Sequence, residues 1–139
     1  MSIVPLLLSF AFLPDNTPLP VSFQVGGFAL NALSATPTPL VNETGGEKGY
    51  QFPNQGVEVS LPATVSVVDI RACSFAQPVK VEALEHGGFV TDFADIASNS
   101  CTDLKLHGTK INELRFTGGG NEGLIVSLNI AIAACNGKL

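Results

Sequence analysis

The second half of the chain alternates between apolar and polar residues with a period of two, and this pattern constrains the fold more than any other feature. Near the C-terminus, apolar residues recur at every second position from Leu124 to Ile132, with Ser127, Asn129 and Ala131 between them. Successive side chains of a β-strand point to opposite faces of a sheet, so this period predicts a strand with one buried face. The β-branched residues in the segment favour a strand over a helix.

The same reasoning predicts strands along the whole chain. Gly87-Gly88 predicts a hairpin turn between residues 79–85 and 89–96. Gly26-Gly27 predicts a bulge within a strand, and residues 34–48, which contain two prolines and two glycines, are predicted to form the longest loop. Segment 64–75 has apolar residues at both its odd-numbered and its even-numbered positions, which predicts a central strand with both faces at least partly covered. The remaining predicted strands are 3–12, 21–29, 50–52, 57–61, 111–116 and 124–132.

About nine or ten short strands with turn signals between them, and no helical pattern, predict an all-β protein. An antiparallel two-sheet sandwich is the natural way to bury so many one-sided strands. The chain has 139 residues, of which 45% are hydrophobic, 14 are glycine and 9 are proline. This size predicts one β-sandwich domain over residues 1–139, and the glycine and proline content favours many turns.

Charge and hydropathy exclude several classes of partner. Seven Lys and Arg residues against twelve Asp and Glu residues give a net charge of −5, which disfavours nucleic-acid binding. The apolar run 3–13 is too short for a membrane span and is interrupted by Pro5. The first cation is Lys48, whereas a signal peptide needs a cationic start, so the run is interpreted as a first strand.

The three cysteines, Cys73, Cys101 and Cys135, do not have metal-ligand spacing. They allow three single disulfide pairings, and the alternative is that they are free thiols packed as small apolar residues. A disulfide would indicate an oxidising compartment, so a secreted or cell-surface location is expected, with a cytoplasmic location as the alternative.

Several features of the second half resemble a known family. Leu61-Pro62 lies in an extended strand, Phe75-Ala76-Gln77-Pro78-Val79 begins a hairpin, and the glycine-rich turn 118–123 precedes the last strand. Over residues 45–135 this pattern resembles the galactose-binding-like jelly-roll domains of secreted bacterial proteins. The resemblance implies a jelly-roll β-sandwich that is often non-catalytic and often contacts glycans or other surface polymers.

The sequence shows no constellation for catalysis, and the chain is predicted not to be an enzyme. His86 is predicted to lie in a hairpin turn and His107 at a strand end, so both are interpreted as exposed polar residues. The pairs Glu82/Glu85 and Asp92/Asp95 are three residues apart, which places their members on opposite faces of a strand. A glycosidase carboxylate pair would have to face one cleft.

Polar groups that share a face or a loop are the candidates for ligand binding. Asp69 and Arg71 share one strand face. Tyr50, the only tyrosine, is the best candidate for an exposed aromatic residue near a turn, and the alternative is that it caps the core. Asp15 and Asn16 supply oxygen atoms that could bind calcium, and no other cofactor is predicted. The predicted ligand-binding residues are Tyr50, Asn54, Asp69, Arg71, Asn121 and Glu122.

These observations lead to two functional hypotheses. The first is a non-catalytic module that binds a cell-surface glycan or another surface polymer. The alternative is a structural or assembly subunit that forms homo-oligomers through edge strands and apolar patches.

Overall fold

The computed structural model describes residues 2–134, which form an all-β, antiparallel fold. Ten strands are present in this range, joined by turns and by a single turn of 3-10 helix at Gly119–Asn121. The strands are β1 (Ser2–Ser9), β2 (Ser22–Val25), β3 (Phe28–Ala32), β4 (Leu40–Thr44), β5 (Glu47–Phe52), β6 (Val57–Ser74), β7 (Val79–Glu85), β8 (Phe89–Ile96), β9 (Ser100–Gly118) and β10 (Gly123–Ala134). The predicted fold class and strand number are therefore confirmed.

The strands form two layers, which the long strands β6 and β9 join. In the first layer, β10 pairs with β1 and β5 along one side and with residues 69–74 of β6 along the other, and β4 pairs with β5. In the second layer, β3 pairs with residues 57–60 of β6 and with β2, and β7 pairs with β9 and β8. All of these pairs are antiparallel.

β6 and β9 pair with each other in both layers, and their pairing is irregular where they pass from one layer to the other. Residues 57–60 pair with 113–116, residues 67–74 pair with 100–107, and the register shifts between Ser60 and Val67. Pro62 lies in this irregular stretch, where the missing N–H of proline removes no regular ladder bond. The predicted strands 57–61 and 64–75 are thus parts of one strand.

The core lies between the layers and receives side chains from both of them. Ile70 and Leu128 enter it from the first layer, and Val59 and Phe116 enter it from the second layer. Each is at most 2% exposed. Burial of one such side chain contributes about 1.5–3 kcal/mol, so the alternating pattern of the sequence is the main stabilising feature of the fold.

A disulfide links Cys73 of β6 to Cys101 of β9, which are directly opposite each other in the ladder. Their Cα atoms are 4.0 Å apart, the close spacing typical of a non-hydrogen-bonded antiparallel pair. The structure therefore selects one of the three pairings that the sequence left open, and the alternative of free thiols is wrong for these two residues. Cys135 lies outside the described residues.

Three predictions about local structure are corrected. Residues 34–48 are not one loop, because they contain β4 and the start of β5, joined at Gly45-Gly46. Gly26-Gly27 is the turn of a hairpin between β2 and β3, since both glycines have positive φ and Val25 pairs with Phe28. His107 lies inside β9 rather than at a strand end.

Other predictions are confirmed. Gly87-Gly88 joins β7 to β8, and the Gly88 N–H donates to the Glu85 carbonyl at 2.9 Å. Segments 64–75 and 124–132 are strands apart from Phe75, which follows the end of β6, and most of the apolar run 3–12 lies in β1. Within residues 2–134 the structure contains no helix with the length and hydrophobicity needed to cross a membrane.

Candidate functional site

A groove of about 410 Å³ crosses the outer face of the first layer. We call this face, on the side of β1, β10, β6 and β9 away from the core, the first face. The side chains that project from it lie at odd-numbered positions of the four strands, because the even-numbered positions, such as Ile70 and Leu128, face the core. The groove is lined by residues at these odd-numbered positions, Leu7, Asp69, Arg71, Asp103, Lys105, Ser127 and Asn129, and also by Ile70 and Leu104, which lie between them in the chain.

The strand register arranges these outward side chains in two parallel rows. In one row, Leu7 is opposite Asn129, Asn129 is opposite Asp69, and Asp69 is opposite Lys105. Neighbouring strands are about 4.8 Å apart, so a row across four strands is about 14 Å long. The groove is therefore an extended surface on which several groups of one ligand could bind.

The second row contains the strongest ion pair on this face. It runs through Ser9, Ser127, Arg71 and Asp103. The guanidinium of Arg71 donates from Nε and Nη2 to the two carboxylate oxygens of Glu47, at 3.0 and 2.6 Å. It also donates from Nη1 to Asp103 at 3.0 Å. Arg71 is thus held between two carboxylates, one of them in the bidentate geometry that arginine favours.

The electrostatic effect of this arrangement is seen at Glu47. The hydrogen bonds from the Arg71 guanidinium hold the pKa of the Glu47 carboxyl below its usual range, against the opposing effect of burial. The carboxylates of Glu47 and Asp103 in turn raise the pKa of the Arg71 guanidinium. Both groups are therefore charged at neutral pH, and the pair is a fixed element of the groove wall.

The second cation of the groove is also paired with a carboxylate. Lys105 Nζ lies 2.8 Å from Asp69 Oδ1, directly across the β6–β9 ladder. Both side chains are about half exposed, so water weakens this pair more than the pair between Arg71 and Glu47. Asn129 and Ser127 add neutral hydrogen-bonding groups beside these ion pairs, and Leu7, which is 62% exposed, adds an apolar wall.

The predicted ligand-binding residues fall into two separate groups. Asp69 and Arg71 lie in the groove, on the shared strand face that the sequence indicated. Asn54 and Asn121 lie at the turns 53–56 and 118–123, where their side-chain oxygens accept backbone N–H groups. Asn121 Oδ1 accepts from Asn54 N at 2.8 Å, and Asn54 Oδ1 accepts from Gly120 N at 2.9 Å. These two residues join the turns, and Glu122 is exposed beside them.

Tyr50 is buried, so of the two alternatives that the sequence left open the structure supports packing in the core. Its relative exposure is 0%, and its ring lies 5.8 Å from that of Phe10 and 6.0 Å from that of Phe23. Burial raises the pKa of its hydroxyl. That hydroxyl has no hydrogen-bond partner among the described residues.

Asp15 and Asn16, the predicted calcium ligands, help to hold a loop against β4. Asp15 Oδ1 accepts the Glu43 N–H at 2.9 Å, and the Asn16 N–H donates to the Val41 carbonyl at 2.7 Å. Asn16 has a φ of 64°, a conformation that asparagine tolerates better than most residues. Across the described part of the chain, His, Cys, Asp and Glu side chains form no group of three or more that could hold a metal ion.

Sequence reasoning missed three of the groove's polar residues, Asp103, Lys105 and Asn129, and also Glu47, which holds Arg71 in place. A signal for two of them was present, because residues 101–107 alternate as strictly as the last strand does. In that segment the partly or fully buried Leu104 and Leu106 lie between the exposed residues Asp103, Lys105 and His107. Glu47 was missed because its contact with Arg71 joins residues that are 24 positions apart.

The outer face of the second layer, which we call the second face, carries a different set of charges. Arg115 lies 3.0 Å from Glu58, opposite it in the ladder and opposite Glu82 on the other side. Glu113 lies on the same face, and burial, followed by the nearby Glu58 carboxylate, raises the pKa of the Glu113 carboxyl. Phe93 of β8 is next to Glu82 and is 56% exposed.

One member of each predicted acidic pair, Glu85 and Asp92, accepts backbone N–H groups of β9, and one of these N–H groups belongs to His107. Glu85 Oε2 accepts the N–H groups of Thr109 and Lys110, at 2.8 and 3.3 Å. Asp92 Oδ2 accepts the His107 N–H at 2.8 Å. These two carboxylates therefore satisfy the backbone of β9 at the bend between the layers.

Comparison with known proteins gives weak similarities only. No protein-family model matches the chain, and no curated protein matches it. Among solved structures, the chain is similar to a low-affinity xylan-binding module, CBM86, from Roseburia intestinalis, with a TM-score of 0.45 and 14% identity over 66% of this chain and 81% of that one. It is also similar to a glycoside hydrolase family 43 arabinoxylan arabinofuranohydrolase from Bacillus subtilis, with a TM-score of 0.42 and 10% identity over 65% of this chain and 23% of that one. Similarity at this level assigns neither a ligand nor an activity.

Proposed function

We propose that this protein is a non-catalytic binding module that holds a glycan or another hydroxyl-rich surface polymer in the groove of the first face. The observation that carries the proposal is the pair of side-chain rows across β1, β10, β6 and β9. The rows place acceptors, donors and one apolar side chain along an open surface about 14 Å long. The resemblance to galactose-binding-like jelly-roll domains is part of the same proposal.

The chemistry of the rows fits a saccharide. Sugar hydroxyls both donate and accept hydrogen bonds, and the groove offers carboxylate acceptors on Asp69 and Asp103 together with amide groups on Asn129. Leu7 can contact the apolar C–H surface of a sugar ring. Because these side chains project from paired strands rather than from loops, their positions are held by the β-ladders.

A binding role is favoured over catalysis by the use of the carboxylates. Asp103 and Glu47 are hydrogen-bonded to Arg71, and Asp69 is paired with Lys105. A glycosidase acid needs a raised pKa, whereas the pKa of Glu47 is lowered. The acids of the groove are therefore suited to accepting hydrogen bonds.

NMR titration of the ¹⁵N-labelled protein with a panel of plant, fungal and bacterial oligosaccharides tests the proposal. We expect chemical-shift changes that map to Asn129, Asp69 and Lys105, and loss of binding in Asn129→Ala and in Leu7→Ala. Asn31→Ala is the matched control, because Asn31 is an exposed strand residue on the second face. Shift changes confined to the second face, or no binding across the panel, would contradict the proposal.

A second candidate function is self-assembly through the edge strand β8. β8 pairs with β7 on one side and is the last strand in the order of the second layer. It exposes Phe89 (73%), Phe93 (56%) and Val90, and an apolar edge strand is a typical surface for pairing between copies. Light scattering at high concentration tests this function, and a monodisperse monomer would remove it.

A secreted or cell-surface location is part of the proposal. The Cys73–Cys101 disulfide supports it, because structural disulfides form and persist in oxidising compartments.

A further inference from the structure

The charges of the groove point to the class of saccharide that it takes, an inference that rests on the proposed function. We propose that the groove selects uncharged, hydroxyl-rich saccharides and discriminates against acidic ones such as polyuronates. Three observations carry this step: the net charge of the groove, the pairing of both of its cations, and the groups that are left free.

The charged groups of the groove, taken together with Glu47, have a negative sum. Asp69 and Asp103 line the groove and balance its two cations, Arg71 and Lys105, and Glu47, which is hydrogen-bonded to Arg71, brings the sum to −1. The whole chain carries −5. An anionic polymer is therefore repelled at long range by the protein and at short range by the groove.

Neither cation is free to receive an anion. Arg71 is the residue type that most often binds carboxylates, but its guanidinium already donates three hydrogen bonds to Glu47 and Asp103. A uronate that approached it would lie next to both carboxylates. Lys105 is likewise paired, at 2.8 Å from Asp69. A uronate would therefore gain little from either cation, because the charge of each is already paired.

The groups left free suit hydroxyls. Arg71 has five N–H donors and uses three of them. Asp103 is exposed over 79% of its side chain and keeps free lone pairs, and Asn129 is exposed beside Asp69. A hydroxyl can donate to the carboxylates and accept from the remaining N–H groups, whereas a carboxylate ligand can only accept.

Oligosaccharides that are matched in configuration and length and differ in charge at C6 test this inference. Hexasaccharides of gluco, manno and galacto configuration are compared with their C6-oxidised uronate forms. At low ionic strength we expect neutral ligands to bind about tenfold more tightly than their uronate forms, and this ratio to shrink as salt is added.

A charge-switched groove provides the second arm of the test. Glu47→Gln/Asp103→Asn changes the sum over the five groups from −1 to +1 and frees the Arg71 guanidinium. We expect this variant to bind uronate hexamers at least as tightly as neutral ones. The matched control is Glu82→Gln/Asp95→Asn, which changes the charge of the chain equally but on β7 and β8, and which should keep the preference for neutral ligands.

The possible outcomes separate the inference from the proposed function. If the wild-type protein binds a saccharide but prefers the uronate form, the inference is overturned and the binding function stands. The same holds if the control variant changes the preference as much as the groove variant does. If no saccharide of the panel binds, the proposed function fails and the inference fails with it.

Discussion

The two outer faces of the molecule both carry cationic and carboxylate side chains, but they differ in how these charges are paired. On the first face each cation has a carboxylate partner, and Arg71 holds the pKa of Glu47 below its usual value. On the second face Arg115 pairs with Glu58, and the pKa of the nearby Glu113 is raised. The comparison shows that a carboxylate is stabilised where a guanidinium donates to it, as at Glu47, and is destabilised where burial and a neighbouring carboxylate act on it, as at Glu113.

The largest expected effect concerns the disulfide, which lies in the first layer. Replacing both Cys73 and Cys101 by alanine removes a cross-link between residues separated by 28 positions. We expect the free energy of unfolding to fall by about 3 kcal/mol, as measured by urea denaturation. Amide exchange should increase most at the adjoining ends of β6 and β9.

A reductant is the control for the disulfide prediction. It should destabilise the wild-type protein by a similar amount and should leave the double variant unchanged. Equal acceleration of amide exchange in β7, which belongs to the second layer, would show that the link does not act locally and would remove this distinction between the layers.

The next effect concerns the aromatic side chains between the layers. Tyr50→Phe removes a buried hydroxyl that has no hydrogen-bond partner among the described residues. We expect the free energy of unfolding to rise by about 1 kcal/mol, because an unsatisfied buried polar group is costly whereas phenylalanine has the same ring. Thermal denaturation measures the change.

Phe52→Tyr is the reciprocal control. Phe52 is buried and its ring lies 5.8 Å from that of Phe116. A hydroxyl introduced there should destabilise the protein by about 1–3 kcal/mol. If Tyr50→Phe instead lowers stability, the Tyr50 hydroxyl has a partner in solution and the expectation is wrong.

A smaller effect is expected from Glu47→Gln on the first face. Because the folded-state pKa of Glu47 is lowered, its carboxylate stabilises the protein above the ordinary glutamate pKa, and this contribution is lost as the pH falls through the folded value. We expect the variant to be about 0.5–1 kcal/mol less stable than the wild type at pH 7. The difference should shrink in acid, and a difference that does not change with pH would contradict the ion-pair explanation.

The smallest effect has the opposite sign and concerns Glu113→Gln on the second face. The folded-state pKa of Glu113 is raised from 4.5. The protonated Glu113 carboxyl therefore favours the folded state, and this contribution is fully present below pH 4.5 and is lost as the pH rises through the folded-state pKa. We expect the variant to be about 0.5 kcal/mol more stable than the wild type at pH 7, with no gain near pH 3. Denaturation curves at both pH values are the measurement, and a loss of stability at pH 7 would break the contrast between the faces.

The fold could be predicted from the sequence where alternation was long enough to define a face. Residues 124–132 and 64–75 met this condition, and the structure places them in β10 and β6 apart from Phe75. Residues 40–44 did not meet it, because β4 is short and largely polar. Gly45-Gly46 is equally compatible with a loop and with a hairpin turn.

The candidate site could be predicted only as far as one strand reaches. Asp69 and Arg71 are two residues apart, so their shared face followed from the sequence. Asp103, Lys105 and Asn129 join them through cross-strand register, which a single sequence does not determine. The position of Tyr50 stayed undecided between surface and core, because a predicted strand of three residues is too short for its alternation to assign the ring to one face.

The passage of β6 and β9 through both layers has a consequence for how the molecule comes apart. Neither layer can lose β6 and β9 without the other layer losing them too, so global melting is expected to be all-or-none. Calorimetric and van't Hoff enthalpies should then coincide, and fluorescence and circular dichroism should report the same midpoint. A saccharide bound to the first face would in that case raise the unfolding midpoint of the whole fold, the second face included, through the two shared strands.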